Sequence, residues 1–75
     1  MSEKTLFSIP VGAIGIVGAV HLSGAMRRRL LDLGLVPGAQ VACLYAAPSG
    51  NPRAYLIRGS VIALRNQDAL NVALG

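Results

Sequence analysis

The segment 27–38, Arg-Arg-Arg-Leu-Leu-Asp-Leu-Gly-Leu-Val-Pro-Gly, constrains the fold more than any other part of the chain. It combines the end of a helix, a helix stop and a tight turn. Met26, Leu30 and Leu33 are spaced i, i+4 and i+7, which places them on one face of a helix. The spacing therefore predicts a short helix over residues 24–33 whose apolar face packs on a core.

Residues on both sides of this helix are typical of helix ends. Ser23 is the predicted N-cap, because its hydroxyl can accept a hydrogen bond from an unpaired amide of the first turn. Gly34 is the predicted stop, because glycine adopts the left-handed conformation at little cost. Leu35 lies just past the stop, where it can contact Leu30 as apolar residues commonly do at such ends. We therefore expect the helix to end at a glycine cap.

Two further segments predict turns. Pro37 and Gly38 suit the second and third positions of a type II turn, where proline fixes φ and glycine supplies a positive φ. The connection 47–52 is dense in turn-forming residues, and Pro48 and Gly50 are its structural members. These positions are expected to shape the backbone rather than to carry chemistry.

The rest of the chain alternates short apolar runs with turn signals, which is typical of a small β domain. The first run contains β-branched residues interrupted by glycines, so it predicts a bent strand better than a helix. A two-residue break at Gly59-Ser60 predicts a tight hairpin. The predicted strands are 12–20, 40–46, 53–58, 61–64 and 70–74. Five short strands with one helix after the first imply a mainly β chain whose sheet closes into a small barrel. We expect one domain over residues 1–75, structured over about 6–74.

Composition decides the class of molecule. The chain has 75 residues, of which 53% are hydrophobic and 13% charged. Residues 5–26 carry no formal charge and precede three arginines, a pattern that resembles a membrane span. The part of this stretch made only of apolar residues and glycine, 11–20, falls well short of the roughly 20 residues that cross a bilayer. We therefore predict no membrane insertion.

The reactive side chains argue against catalysis and against a bound metal. The one histidine, His21, and the one cysteine, Cys43, lie far apart in sequence, whereas a zinc site takes three or four ligands. Cys43 stands between apolar residues of a predicted strand, which favours a core position. No nucleophile–base spacing and no phosphate-binding glycine loop is present. We predict no enzymatic activity, no cofactor and no specific metal site; weak metal binding by His21 with a neighbouring carboxylate stays open.

A net charge of +4 and a pI near 10.3 leave three interpretations of the arginines. Residues 27–29 are consecutive, so their side chains fan around the helix, as on a solvated surface. Contact with an acidic protein is the second interpretation. Nucleic acid is the third and weakest, because such sites use stacking aromatic residues and the chain has only Phe7, Tyr45 and Tyr55.

Several segments, taken in order, resemble the ferrous iron transport protein A (FeoA) family. They are residues 28–38, the loop 47–52, the pair 58–59 with 62–65, the pair 68–69, and Leu6 followed by 10–12. The resemblance implies an SH3-like barrel that is cytoplasmic and without catalytic activity. It also implies that the protein assists the membrane transporter FeoB, whose cytosolic part carries a GTP-binding domain. The same module forms the C-terminal domain of metal-dependent repressors, so a regulatory role is the alternative.

The predicted helix supplies the candidate contact surface for that transporter. We expect it to consist of Arg28, Arg29, Leu31 and Leu35, because both leucines flank the predicted core face. Self-association of the chain stays open.

The chain departs from the family pattern in two places. Asn51 stands where the family more often has aspartate, which removes one carboxylate from the loop. Residues 12–20 are more apolar than is usual in the family. That excess indicates either an additional apolar surface or a better-filled core.

Overall fold

The structure is a computed structural model that describes residues 4–75. A short 3-10 turn, Leu6–Ser8, opens the described range, helix α1 (Gly24–Asp32) follows the first strand, and helix α2 (Asn66–Ala69) precedes the last. The strands are β1 (Ile14–Val20), β2 (Gln40–Ala46), β3 (Arg53–Ile57), β4 (Ser60–Leu64) and β5 (Val72–Leu74). They form one antiparallel sheet in the order β4-β3-β2-β1-β5. The predicted mainly β architecture with a helix after the first strand is confirmed. The hydrogen-bonded sheet ends at β4 and β5, which do not pair with each other within residues 4–75, so the predicted closure of the sheet is incomplete.

Strand β1 belongs to both halves of the sheet, so the sheet bends along it. Its first half pairs with β2 and its second half with β5, with a register shift between Val17 and Ala19. Gly18 lies at this shift, and a Cβ atom there would be 2.8 Å from the backbone nitrogen of Gly75. Only glycine allows the two backbones to approach so closely. The glycine-interrupted run therefore forms the bent strand that its sequence predicts.

The core is apolar and is enclosed by the sheet, the 3-10 turn and one side of α1. Its largest fully buried side chains are Tyr55, Leu6, Leu30, Leu35, Ile57, Val17, Val41, Val72 and Cys43. The free thiol of Cys43 is completely buried, so the predicted core position of this cysteine is confirmed. No charged side chain of residues 4–75 is buried. Stability therefore comes mainly from apolar area removed from water.

The hairpin between β3 and β4 turns one residue earlier than predicted. Ile57 pairs with Ser60, so the two loop residues are Arg58 and Gly59. Both have positive φ, +48° and +81°, as a type I′ turn requires. The predicted Gly59-Ser60 loop is wrong because glycine occupies the second loop position and Arg58 accepts the left-handed conformation.

Both helices are short, with nine residues in α1 and four in α2. Within residues 4–75, neither is long and apolar enough to span a bilayer. Helix α2 lies between the predicted strands 61–64 and 70–74, where no helix was predicted. Because the Leu70 N–H still donates to the Asn66 oxygen at 3.0 Å, β5 begins at Val72, two residues later than predicted.

Two hydrogen bonds that involve asparagine side chains connect the 47–52 loop to the start of α2. The Asn66 backbone N–H donates to Oδ1 of Asn51 at 3.0 Å, and Nδ2 of Asn66 donates to the Gly50 oxygen at 2.9 Å. The N–H that Asn51 accepts from is one of those that a helix leaves unpaired at its first turn. This contact joins two regions that are adjacent in space but 15 residues apart in the chain.

Candidate functional site

Helix α1 packs against the core through a single buried residue. Leu30 is the one buried residue of the helix, while Met26 and Leu33 are partly buried against the core. The predicted apolar face is therefore confirmed in position, but only its centre is closed to solvent. The remaining faces of α1 are available to a partner.

The helix ends in the predicted glycine cap. The Leu35 N–H donates to the Leu30 oxygen at 2.9 Å, and the Gly34 N–H donates to the Leu31 oxygen at 3.0 Å. Gly34 has φ +103°. These two bonds and the left-handed glycine define a Schellman motif, so the predicted role of Gly34 is confirmed.

The same motif overturns one predicted contact residue. Leu35 is completely buried, so its assignment to a docking surface is wrong. The bond from its N–H back to Leu30 turns the chain inward, and its side chain enters the core beside the helix. Leu31 is half-buried and is the one predicted leucine that remains accessible.

The start of α1 differs from the predicted N-cap. Ser23 is at the N-cap in extended conformation, but its side chain makes no capping hydrogen bond, so that part of the prediction is wrong. The next residue, Gly24, has φ +67°, so the chain enters α1 through a glycine instead of a capping hydroxyl.

The turn after the helix has the predicted geometry. Gly38 has φ +90° and follows Pro37, and the Ala39 N–H donates across the turn to the Val36 oxygen at 3.0 Å. The predicted type II turn is confirmed.

The turn after β2 is also formed as expected. The Gly50 N–H donates to the Ala47 oxygen at 2.7 Å across Pro48 and Ser49. Gly50 has φ +87°, a conformation that favours glycine.

A shallow hollow of about 540 Å³ lies on the outer face of α1. Its lining comes entirely from this helix: Gly24, Ala25, Arg28, Arg29 and Asp32. Arg28 and Arg29, which are consecutive in the sequence, are both exposed and both line the hollow. Two guanidinium groups outnumber the one carboxylate, and guanidinium groups bind carboxylates through paired hydrogen bonds. The hollow therefore suits an acidic side chain of a protein partner.

Sequence reasoning missed Arg58, which the fold brings to the end of α1. A Cβ atom on Gly34 would lie 2.6 Å from Cδ of Arg58 and 3.2 Å from its Cγ. The stem of Arg58 therefore passes directly over the helix stop. The sequence carries a weak signal for this residue, an arginine–glycine pair at a hairpin turn, but the signal does not indicate where the hairpin lies.

The outward face of the sheet carries a second feature that the sequence does not locate. Ile14, Ala42, Leu56 and Val61 are direct neighbours across β1, β2, β3 and β4, and we call them the outer row. Ile14 is 60% exposed and Val61 is 56% exposed. Antiparallel sheets usually place polar residues on the solvent side. With Ile16 also 44% exposed, part of the apolar excess in residues 12–20 forms an additional surface rather than core.

Residues 4–75 contain no group of three or more His, Cys, Asp or Glu side chains that could hold a metal ion. His21 is exposed, and its backbone N–H donates to the Asn71 oxygen at 2.7 Å. Burial raises the pKa of Tyr55, and the nearby Cys43 thiol adds to this effect, while Arg53 opposes it. Because Tyr55 is fully buried, it is also unable to stack on a nucleic-acid base.

Comparison with known proteins gives a consistent result. The family model of the FeoA domain matches residues 4–74. The FeoA protein of Chlorobium tepidum is 34% identical with a TM-score of 0.90, covering 95% of this chain and 68% of that chain. The zinc-complexed FeoA of Stenotrophomonas maltophilia, a procaryotic SH3 domain protein, is 30% identical with a TM-score of 0.83, covering 96% of this chain and 89% of that one. Comparison with curated proteins gives no match.

A more distant likeness bears on the regulatory alternative. A manganese-dependent transcriptional repressor in complex with manganese is 18% identical with a TM-score of 0.78, covering 99% of this chain and 36% of the repressor. At this identity the likeness shows a shared fold alone.

Proposed function

Because the chain belongs to the FeoA domain family, which is associated with ferrous iron transport, we propose that it is a non-enzymatic, cytoplasmic accessory protein of iron uptake. In this proposal it docks on the cytosolic GTP-binding domain of a FeoB-type transporter and modulates it. The match of the FeoA model to residues 4–74 is the observation that carries the proposal.

The outer face of α1 is the proposed docking surface. Arg28 and Arg29 line its hollow and would pair with carboxylates of the transporter, while the half-buried Leu31 would add apolar contact. Charges at the rim of an interface mainly set the association rate and its dependence on salt. A partly exposed leucine contributes apolar area, whose effect salt changes little.

Binding to the cytosolic domain of the FeoB transporter from the same genome tests this proposal. Affinity is measured at low and at physiological salt for the full chain and for three variants. Arg28→Glu and Arg29→Glu should weaken binding and reduce its salt dependence, whereas Leu31→Ala should weaken it about equally at both salt concentrations. Arg65→Glu is the matched control, because it makes the same charge change at an exposed residue between β4 and α2, outside α1.

Two results would overturn the proposal. One is the absence of any binding to the transporter domain by a folded chain. The other is tight nucleic-acid binding that falls steeply with salt, together with no affinity for the transporter.

A further inference from the structure

Strand β4 is an unprotected edge of the sheet. It is the terminal strand and pairs with β3 alone. The opposite edge is covered, because Ala73 of β5 pairs with Thr5 and the Leu74 N–H donates to the Lys4 oxygen at 2.8 Å. Strand β4 contains neither a charged residue nor a proline, the features that usually protect an edge from strand addition.

The β3–β4 turn determines which backbone groups of this edge are free. Ile57 and Ser60 flank a two-residue turn, and the flanking pair of such a turn is hydrogen-bonded. Hydrogen-bonded and non-hydrogen-bonded pairs alternate along an antiparallel ladder. Val61 and Ala63 therefore direct their N–H and C=O groups away from β3, where an added strand can pair with them.

The side chains along this edge favour an apolar partner. Val61 is 56% exposed and ends the outer row that begins at Ile14. Ala63, the next outward-facing residue of β4, is also exposed. A strand added here would continue the outer row, so its side chains on that face should be apolar, at every second position.

The charges at both ends of β4 specify the partner further. Arg58 precedes the strand and Arg65 follows it, and both are exposed. No acidic residue occurs between them. If two copies paired antiparallel through β4, Arg58 of one copy would approach Arg65 of the other, which is unfavourable. Carboxylates at the ends of a partner strand would instead be attracted to both arginines.

We propose that the edge of β4 binds an extended apolar segment with carboxylate side chains at both ends, which adds to the sheet as a sixth strand. This surface is separate from the outer face of α1, and the proposal stands without the proposed docking to a transporter.

A synthetic peptide provides the probe. It has alternating valine and threonine at its centre, two aspartates at each end and blocked termini, and it is titrated into the full chain. The amide resonances of Val61 and Ala63 should shift most, and their hydrogen exchange should slow. Replacing the aspartates by lysines should weaken binding about tenfold, since attraction becomes repulsion at both ends. N-methylation of the peptide amides that face the protein should abolish binding.

Variants of the chain complete the test. Arg65→Glu should weaken binding of the aspartate peptide about fivefold, while the matched charge change Arg27→Glu on α1 should leave it unchanged. Ala63→Pro removes an N–H that β3 does not use and should abolish binding. Equal affinity for the lysine and aspartate peptides, unchanged binding of the N-methylated peptide, or no binding at all would overturn the proposal. So would a dimer of the chain that Ala63→Pro dissociates. The peptide controls decide the question even if that variant does not fold.

Discussion

The end of α1 and the β3–β4 hairpin meet at Gly34 and Arg58, where a Cβ atom on the glycine would lie 2.6 Å from Cδ of the arginine. Both residues have positive φ, +103° for Gly34 and +48° for Arg58. A helix stop and a hairpin turn, each a local backbone feature, are therefore packed directly against each other. Glycine at position 34 satisfies two requirements, a left-handed backbone and space for the arginine stem.

Substitution of Gly34 should therefore destabilise the protein for two separable reasons. Gly34→Ala should lower the free energy of unfolding by about 1–2 kcal/mol for the left-handed conformation, and further for the contact with Arg58. Gly38→Ala is the control, because Gly38 has φ +90° but open space around its Cβ position. In denaturant unfolding the loss at Gly34 should be the larger, and adding Arg58→Ala to Gly34→Ala should recover the difference. Equal losses at the two glycines would show that the contact is unimportant.

Substitution of Leu35 and of Leu31, the two leucines beside the helix stop, should lower the free energy of unfolding by different amounts. Leu35→Ala removes a fully buried side chain and should lower the free energy of unfolding by about 2–5 kcal/mol. Leu31→Ala removes a half-buried side chain, so its effect on unfolding should be smaller. Thermal and denaturant unfolding of both variants measure the difference. A Leu35→Ala protein as stable as the parent would contradict the core position of this residue.

Local signals predicted much of this fold, and the contacts between distant segments account for the rest. The helix stop at Gly34 could be read because it depends on a few consecutive residues. Leu35 was misplaced because helix periodicity says nothing about a residue beyond the cap, whose direction is set by the Schellman bonds. Arg58 could not be assigned to the end of α1, since the contact joins residues 24 positions apart.

The outer row shows the same limit on the sheet. Alternation within one strand cannot tell which apolar residues face solvent when both faces are apolar, as in β1 with Val17 inside and Ile14 outside. Only the registers of neighbouring strands reveal that Leu56 and Val61 continue the exposed row. The candidate binding edge at β4 depends on these registers and was therefore not predicted.

Asn51 should act as the cap of α2, where the FeoA pattern more often has aspartate. Asn51→Ala leaves the Asn66 N–H without its acceptor and should lower the free energy of unfolding by about 0.5–2 kcal/mol. Asn51→Asp keeps an oxygen acceptor and adds a negative charge at the start of a helix, so it should be neutral or slightly stabilising. Urea unfolding at neutral pH distinguishes the two. If aspartate destabilised the protein as much as alanine, the amide nitrogen of Asn51 would be the essential group.

Tyr55 should make the protein less stable in alkaline solution. Burial raises the pKa of its phenol in the folded state above the ordinary value of 10.0, so the folded chain holds this proton more tightly than the unfolded chain. The resulting stabilisation is complete below pH 10 and is lost as the pH rises toward and through the folded-state pKa, because unfolding then releases the proton.

The variant Tyr55→Phe tests this prediction. It removes the titrating group together with the 3.4 Å hydrogen bond that the Tyr55 hydroxyl donates to the Leu6 oxygen. At neutral pH the variant should be less stable by about 0.5–1.5 kcal/mol, but its unfolding free energy should fall less than that of the parent between pH 9 and pH 11. Parallel pH profiles for the two proteins would show that the phenol titrates equally in the folded and unfolded states.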